Sequence, residues 1–276
     1  MIFLKRLRQT ILNDYLTCAY KCFKSWGSLS EEGYYENNDS KQNKYSASGI
    51  VVHEVMEEWG KDVQSNKLKD NNFYHDMLNN LFNGIDSSLF ANELEIDIFR
   101  NSINEQLDWL MEQTYSNEIL FTELDFEVTE MINGIEEPVI GTIDRIDGNI
   151  QEKRISLIDY KTGKPFTKKK LKTNIQAFLY TLAFFKQYGF LPEKFVFYFS
   201  KHKRKQIIWI TPEFLQDAGA EVISIYYKMK NNEWKPNCSN KYFCKNFCEY
   251  YKECPKYSNK KQWDIEYEVF NPLNNI

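Results

Sequence analysis

Asp144 and Asp159 sit at the ends of two successive apolar runs, and Lys161 follows Asp159 by two residues. The stretch Gly141-Thr-Ile-Asp-Arg-Ile-Asp147 carries the first carboxylate, and Leu157-Ile-Asp-Tyr-Lys161 the second. Side chains alternate along a strand, so Asp159 and Lys161 point to the same side. Two carboxylates can hold a hard divalent cation through oxygen, and an ammonium beside them can meet negative charge developing on a phosphate. Metal-assisted hydrolysis of a phosphodiester needs that set. Asp-x-Lys alone is a common coincidence. The earlier acidic strand and the Thr162-Gly163 turn directly after the lysine set this occurrence apart. The competing reading is two amphipathic strands with solvated charges.

Further residues fall into place around this pair. Asp144 and Asp159 would bind Mg²⁺ or Mn²⁺, with the backbone carbonyl of Tyr160 completing the inner shell. Lys161 would position the attacking water or stabilise phosphate charge. Gly49, His53 and Glu57 fall at i, i+4 and i+8 on one helix face. A lone histidine on such a face is usually structural, but neutral imidazole also suits manganese or a second metal. Asp147 is a decoy: it lies too far along to share the face of Asp144 and precedes a Gly-Asn pair that reads as a turn. Glu123 and Glu127 border the region without reading as ligands. Gln176 and Tyr180 share a helix face, which alone is unremarkable.

Six cysteines and no apolar run long enough for a bilayer point to a cytoplasmic chain with reduced thiols and no membrane partner. The N-terminus turns charged too soon for a secretory signal. Cys244-Lys-Asn-Phe-Cys248-Glu-Tyr-Tyr-Lys-Glu-Cys254 then favours a cluster or a metal over disulfides. Three thiolates leave a cubane or a zinc ion one ligand short, so a distant cysteine must complete four. Cys22 and Cys238 are extra candidates. Net charge is −4, which does not advertise a nucleic-acid binder, but its distribution matters more. Lys164, Lys168, Lys169, Lys170 and Lys172 form an acid-free stretch beside the proposed site and read as phosphate-tracking. Lys201 to Lys205 form a second basic cluster, read equally well as a solvated loop.

These pieces together resemble the PD-(D/E)XK nuclease superfamily, and within it the RecB-type exonucleases: the AddB nuclease domain and the CRISPR-associated and exonuclease V-like iron–sulfur nucleases. Gly49-Ile-Val-Val-His53-Glu resembles the metal-binding histidine motif, and Glu123-Leu-Asp-Phe-Glu-Val the strand before the first catalytic aspartate. Gln176-Ala-Phe-Leu-Tyr180 resembles the Gln-x-x-x-Tyr signature. The resemblance runs from residue 18 to 254. It implies that His53 is a metal ligand, that Gln176 contacts the site or the DNA, and that Tyr180 packs or stacks beside it. It also implies a structural [4Fe-4S] cluster on Cys18, Cys244, Cys248 and Cys254, with zinc as the second candidate. The chain departs from the pattern in having three residues between Cys244 and Cys248 where two are usual, and Ala19 where a proline usually follows the first cysteine. The implied activity is a metal-dependent exonuclease acting on single-stranded DNA or DNA ends, within repair, replication or CRISPR-linked assemblies. The alternative is a catalytically silent nucleic-acid-binding or adaptor subunit.

The elements that must carry these residues follow from periodicity. A helix is expected over 6–26, a mobile loop from Gly27 to Asn43, a helix over 46–64 and more helices over 70–116. Strands are expected at 120–130, 138–146, 154–160, 193–199 and 205–210, with helices at 172–187 and from Pro212 to Lys230. That order predicts one α/β domain over 1–276: a restriction-endonuclease-like mixed sheet flanked by helices. A helical insertion (67–118) and a cysteine-rich tail (234–260) that clasps the termini complete it.

Overall fold

Runs such as Ile155-Ser-Leu-Ile and Phe195-Val-Phe-Tyr-Phe, rich in β-branched and aromatic residues, build a five-stranded sheet. Its strands are β1 (Ile119–Val128), β2 (Val139–Asn149), β3 (Arg154–Lys161), β4 (Lys194–Phe199) and β5 (Arg204–Trp209), lying side by side in chain order. β2 and β3 are antiparallel, β3 and β4 parallel, β4 and β5 antiparallel, so the sheet is mixed. The computed structural model describes residues 6–26, 43–238 and 241–257. The loop expected between Gly27 and Asn43 lies, apart from Asn43, outside the described residues.

Helices are α1 (Gln9–Thr17), α2 (Ala19–Trp26), α3 (Lys44–Gln64), α4 (Asn71–Asn83), α5 (Glu93–Thr114), α6 (Lys168–Lys172), α7 (Ile175–Tyr188), α8 (Pro212–Lys230) and α9 (Lys241–Phe247). The chain divides into two compact units, one of Lys41–Phe126 and Gly141–Gln216, the other of Met1–Ser40, Glu127–Ile140 and Asp217–Ile276. In the first unit, alternation along β3 and β4 splits the side chains between two faces. Ile158, Tyr160, Val196 and Tyr198 join Val52, Val55, Trp59, Leu78, Leu107 and Leu110 of α3, α4 and α5 in one core. On the other face Phe195 meets Tyr180 of α7, at 6.1 Å between ring centroids. The parallel β3–β4 pair needs a crossover, and α6 and α7 supply it.

Local chemistry sets the helix ends. Asn43 and Ser46 form a reciprocal capping box at the start of α3. Asn174 caps α7 through the Ala177 N–H (2.9 Å), and Gly189, at φ +76°, ends it in the left-handed conformation. The basic stretch after β3 contains the short α6, capped by Thr167.

In the second unit the single helix expected over 6–26 is two. Cys18 is extended (φ −166°, ψ 114°), and the first N–H of α2, on Ala19, is taken by the Asn237 side chain (2.9 Å). The Thr17 hydroxyl bonds back to the Asn13 carbonyl (2.9 Å), a local alternative that helps end α1. Tyr15 ties α1 to the tail through the Glu233 carbonyl (2.6 Å). Buried Glu137 accepts from Tyr226 and pairs with Lys230, each at 2.6 Å.

Candidate active site

Antiparallel register carries the two aspartates to one place. Arg145 pairs with Ile158, so Asp144 and Asp159 come one step after that pair, on the same face. Both are buried, at 8% and 1% exposure. Asp144 Oδ2 accepts the Tyr160 backbone N–H at 2.8 Å, which fixes the carboxylate across the strand gap. Lys161 Nζ lies 2.9 Å from Asp159 Oδ1 as a hydrogen bond and 2.7 Å from Oδ2 as an ion pair. Oδ2 receives no aligned hydrogen bond, since the ammonium is close but poorly directed. That oxygen keeps a lone pair for a cation. Gln176 Nε2 also donates to Asp159 Oδ1, a short contact that anchors the carboxylate to α7.

Helix α3 brings His53 to the same strand end. Gly49 permits the approach, because a Cβ there would lie 3.3 Å from Thr162 Oγ1. His53 Nε2 is 2.8 Å from the Tyr160 carbonyl oxygen. A carbonyl only accepts, so Nε2 carries the proton, and in the neutral ring Nδ1 keeps the lone pair. Nδ1 lies 3.4 Å from Asp144 Oδ2. The Tyr160 carbonyl, expected in the inner shell, is thus engaged by the histidine.

Glu123 completes the group. Ligand atoms of His53, Glu123 and Asp144 all lie within 4.8 Å of one another. Glu123 stands in left-handed backbone (φ +47°), beside Thr122, whose methyl would be 2.7 Å from a Cβ at Gly60 on α3. Sequence reasoning left Glu123 as a bystander. The alternating acids Glu123, Asp125 and Glu127 were the available signal, but nothing in the sequence marks the backbone reversal that sets Glu123 apart. Burial and then the Asp144 charge push the Glu123 carboxyl up to about 7. Burial, followed by the Asp159 charge, raises Asp144 as well. Crowded acids that resist ionisation are what a divalent cation relieves, so the donor set fits one.

The other sequence candidates are placed as follows. Tyr180 is buried, packed edge-on against Phe126 at 5.3 Å, with its phenol pushed up by burial and the Asp159 charge. Gly141 allows this, because a Cβ there would lie 2.8 Å from Phe126 and 3.0 Å from Tyr180. A ring enclosed in this way packs beside the site and offers no open face to a base. Glu57 pairs with Lys61 at 2.5 Å, and Glu127 with Arg6 at 3.5 Å. Asp147 forks onto buried Arg145 through two 2.6 Å hydrogen bonds. The turn expected at Gly148-Asn149 comes later, since both residues still pair with β3. In the basic stretch after the site, Lys170 is lowered by burial and then by the Lys161 charge.

Residues 6–255 match the PD-(D/E)XK nuclease superfamily. The chain belongs to that superfamily. Its members are typically metal-dependent nucleases, which implies DNA as the substrate class. The solved structure named "Putative exonuclease" from Eubacterium rectale is similar to this chain at 12% identity and a TM-score of 0.44, over 85% of this chain and 84% of that one. Comparison with curated proteins gives no match. Among the described residues, no helix of this superfamily member is long and apolar enough to cross a membrane.

The cysteines of this nuclease-superfamily chain gather in its second unit. Cys18, Cys238, Cys244, Cys248 and Cys254 line one small cavity of about 10 Å³. Cys244 and Cys238 sulfurs are 3.0 Å apart. Burial raises the Cys244 thiol to about 11 and also raises Cys248 and Cys254. Cys22 stands outside this lining, fully buried, with its thiol donating to the Ile11 carbonyl at 3.5 Å. Five thiols around one cavity suit a thiophilic centre.

Proposed function

We propose that this chain is a RecB-type, metal-dependent exonuclease that hydrolyses phosphodiester bonds at DNA ends or in single strands. One observation carries the reading: Asp144, Asp159 and Lys161 meet His53 and Glu123 beside the C-terminal end of β3, on four different elements, α3, β1, β2 and β3. Asp144, Asp159 and His53, with Glu123 beside them, would hold Mg²⁺ or Mn²⁺. When bound, such an ion supplies Lewis acidity and lowers the pKa of water.

The chain's own residues do the rest. Lys161 holds its ammonium against Asp159 and can place it on a phosphate oxygen as negative charge builds. Gln176 fixes Asp159 from the helix side, so the carboxylate does not turn with the lysine. Tyr180 and Phe126 wall the site with apolar surface, which strengthens charge interactions inside it. His53 is held by its Nε2–H on the Tyr160 carbonyl, which turns the Nδ1 lone pair toward the same space as Asp144.

Cys18, Cys244, Cys248 and Cys254 would hold a structural [4Fe-4S] cluster, with Cys238 a fifth thiol at the same cavity. Zinc–sulfur bonds of about 2.3 Å draw four tetrahedral sulfurs close together. Zinc held by the same thiols is the second candidate. The decisive experiment compares Lys161→Ala with wild type, both purified without oxygen, on end-labelled single strands with Mg²⁺ or Mn²⁺. The variant should lose about a hundredfold or more in rate. Equal rates would refute the assignment. Absence of cleavage by wild type, with DNA binding kept, would point to the silent adaptor subunit.

A further inference from the structure

A second cavity opens immediately beyond the catalytic strand. It has about 420 Å³, within the roughly 300–1,000 Å³ of small-molecule sites. The turn Thr162-Gly163-Lys164, which begins at the residue after Lys161, forms one wall. Helices α3 and α5 form others, through Tyr45 and Phe99 among their residues, and Lys201 and His202 complete the rim. Three cationic or titratable groups thus lie on this rim, and among the described residues lining it none is acidic.

The apolar part of the cavity is aromatic. The Tyr45 and Phe99 rings lie 5.4 Å apart at 54°, and Tyr45 is 56% exposed. Lys201 Nζ stands 5.3 Å from the Tyr45 ring centre, a cation held over a π face. Several polar groups at the cavity are already paired. Gln106 Oε1 accepts from Ser200 at 2.7 Å and its Nε2 donates to Ser102 at 3.3 Å, while Ser200 also contacts the Lys161 carbonyl at 3.3 Å. Aromatic faces ringed by cations suit a sequence-tolerant stacking site.

We propose that this pocket takes an unpaired nucleobase of the DNA strand whose phosphate lies at Lys161, stacked on the exposed Tyr45 ring with Phe99 beside it, and with Lys164, Lys201 and His202 on the adjoining backbone. This rests on the nuclease reading for the position of the phosphate and adds a base-binding subsite to it. A base inside a duplex cannot reach the rings without leaving its stack, so the pocket selects single strands or frayed ends. Tyr45 is the residue to change, because its exposure lets it be truncated without opening the core.

The test is fluorescence anisotropy in Ca²⁺, so that no strand is cut. The probes are oligothymidylate, a tetrahydrofuran abasic strand of equal length, and a blunt duplex. Tyr45→Ala should weaken oligothymidylate binding about tenfold, and Tyr45→Phe should restore it. The abasic strand and the duplex should change by less than about twofold, since they offer no base to stack. An equal loss on all three probes, or no loss on oligothymidylate, overturns the proposal. The two readings fail separately. A wild type that cuts nothing with any divalent metal, yet keeps the base-dependent effect of Tyr45, sinks the nuclease reading and leaves the pocket. A wild type that cuts, with no base-dependent effect, sinks only the pocket.

Discussion

Glu123 and Asp144 are acids kept where ionisation is costly, and this gives the site a measurable signature without any substrate. Glu123 is raised to about 7 by burial and then by Asp144. The unfolded carboxyl loses its proton near pH 4.5, whereas the folded one keeps it to about 7. The folded state therefore binds more protons across that window, and its stability falls as pH rises through it. Above pH 7 the full penalty is present. Glu123→Gln should raise the Tm of the metal-free protein at pH 8, by about 1–2 kcal/mol after solvent screening, or roughly 2–8 °C. The gain should vanish near pH 4.5. Saturating Mn²⁺ should stabilise wild type and leave the variant less affected, because binding to the folded state is itself stabilising. Thermal melts across pH with and without Mn²⁺ read all of this. A variant no more stable than wild type at pH 8 would mean that the acids are not crowded.

At the scale of elements, the strands were legible and the reversals were not. Short apolar runs placed all five strands to within a few residues, because a sheet buried on both faces leaves stretches rich in β-branched and aromatic residues such as Phe195-Val-Phe-Tyr-Phe and Ile155-Ser-Leu-Ile. The Asp144–Asp159–Lys161 juxtaposition was readable for the same reason, since it needs only strand register. The break at Cys18 and the left-handed backbone at Glu123 depend on partners distant in sequence, Asn237 and the α3 surface at Gly60, which no local pattern announces. Arg145 was missed for a different cause. An arginine between Asp144 and Ile146 reads as solvent-facing, but alternation sends it to the face opposite Asp144. There it is 1% exposed, 5.7 Å from the Trp59 ring, and hydrogen-bonded to the Thr114 carbonyl at 2.6 Å. Asp147 is therefore its counter-charge, two residues along the same strand face. Removing one partner of a buried pair strands the other charge. Asp147→Ala should destabilise the fold by about 3–5 kcal/mol, whereas Arg145→Met with Asp147→Leu should recover most of it. Urea melts of the single and double variants decide the matter: additive losses would contradict a coupled pair.

Over the whole molecule, the unit bearing the cysteines is stitched from three stretches of chain that are far apart in sequence. Among the described residues its polar ties include Leu7 N–H to the Pro138 carbonyl (2.8 Å), Tyr15 to Glu233, Ala19 to Asn237, and Glu137 to Lys230. Each connects segments whose ends must be brought together at an entropic cost that grows slowly with loop length. A cross-link from Cys18 to Cys244 closes a loop of more than 200 residues and would offset on the order of 5 kcal/mol of that cost, by analogy with disulfides. The position of Cys18 agrees with such a role. The helix breaks there, turning an extended residue toward the tail cavity, while Cys22 stays buried against α1. Protein purified without oxygen should be brown and contain iron and acid-labile sulfide. Cys18→Ser should lose the visible absorbance and iron and expose 217–257 to rapid proteolysis. Cys22→Ser should keep both iron and colour and show only a modest loss of Tm, since it lies outside the cavity lining. A colourless wild type carrying stoichiometric zinc would replace the cluster with zinc at the same thiols. Equal protease resistance of Cys18→Ser and wild type would remove the clasp altogether, because the three stretches would then hold together by their hydrogen bonds and packing alone.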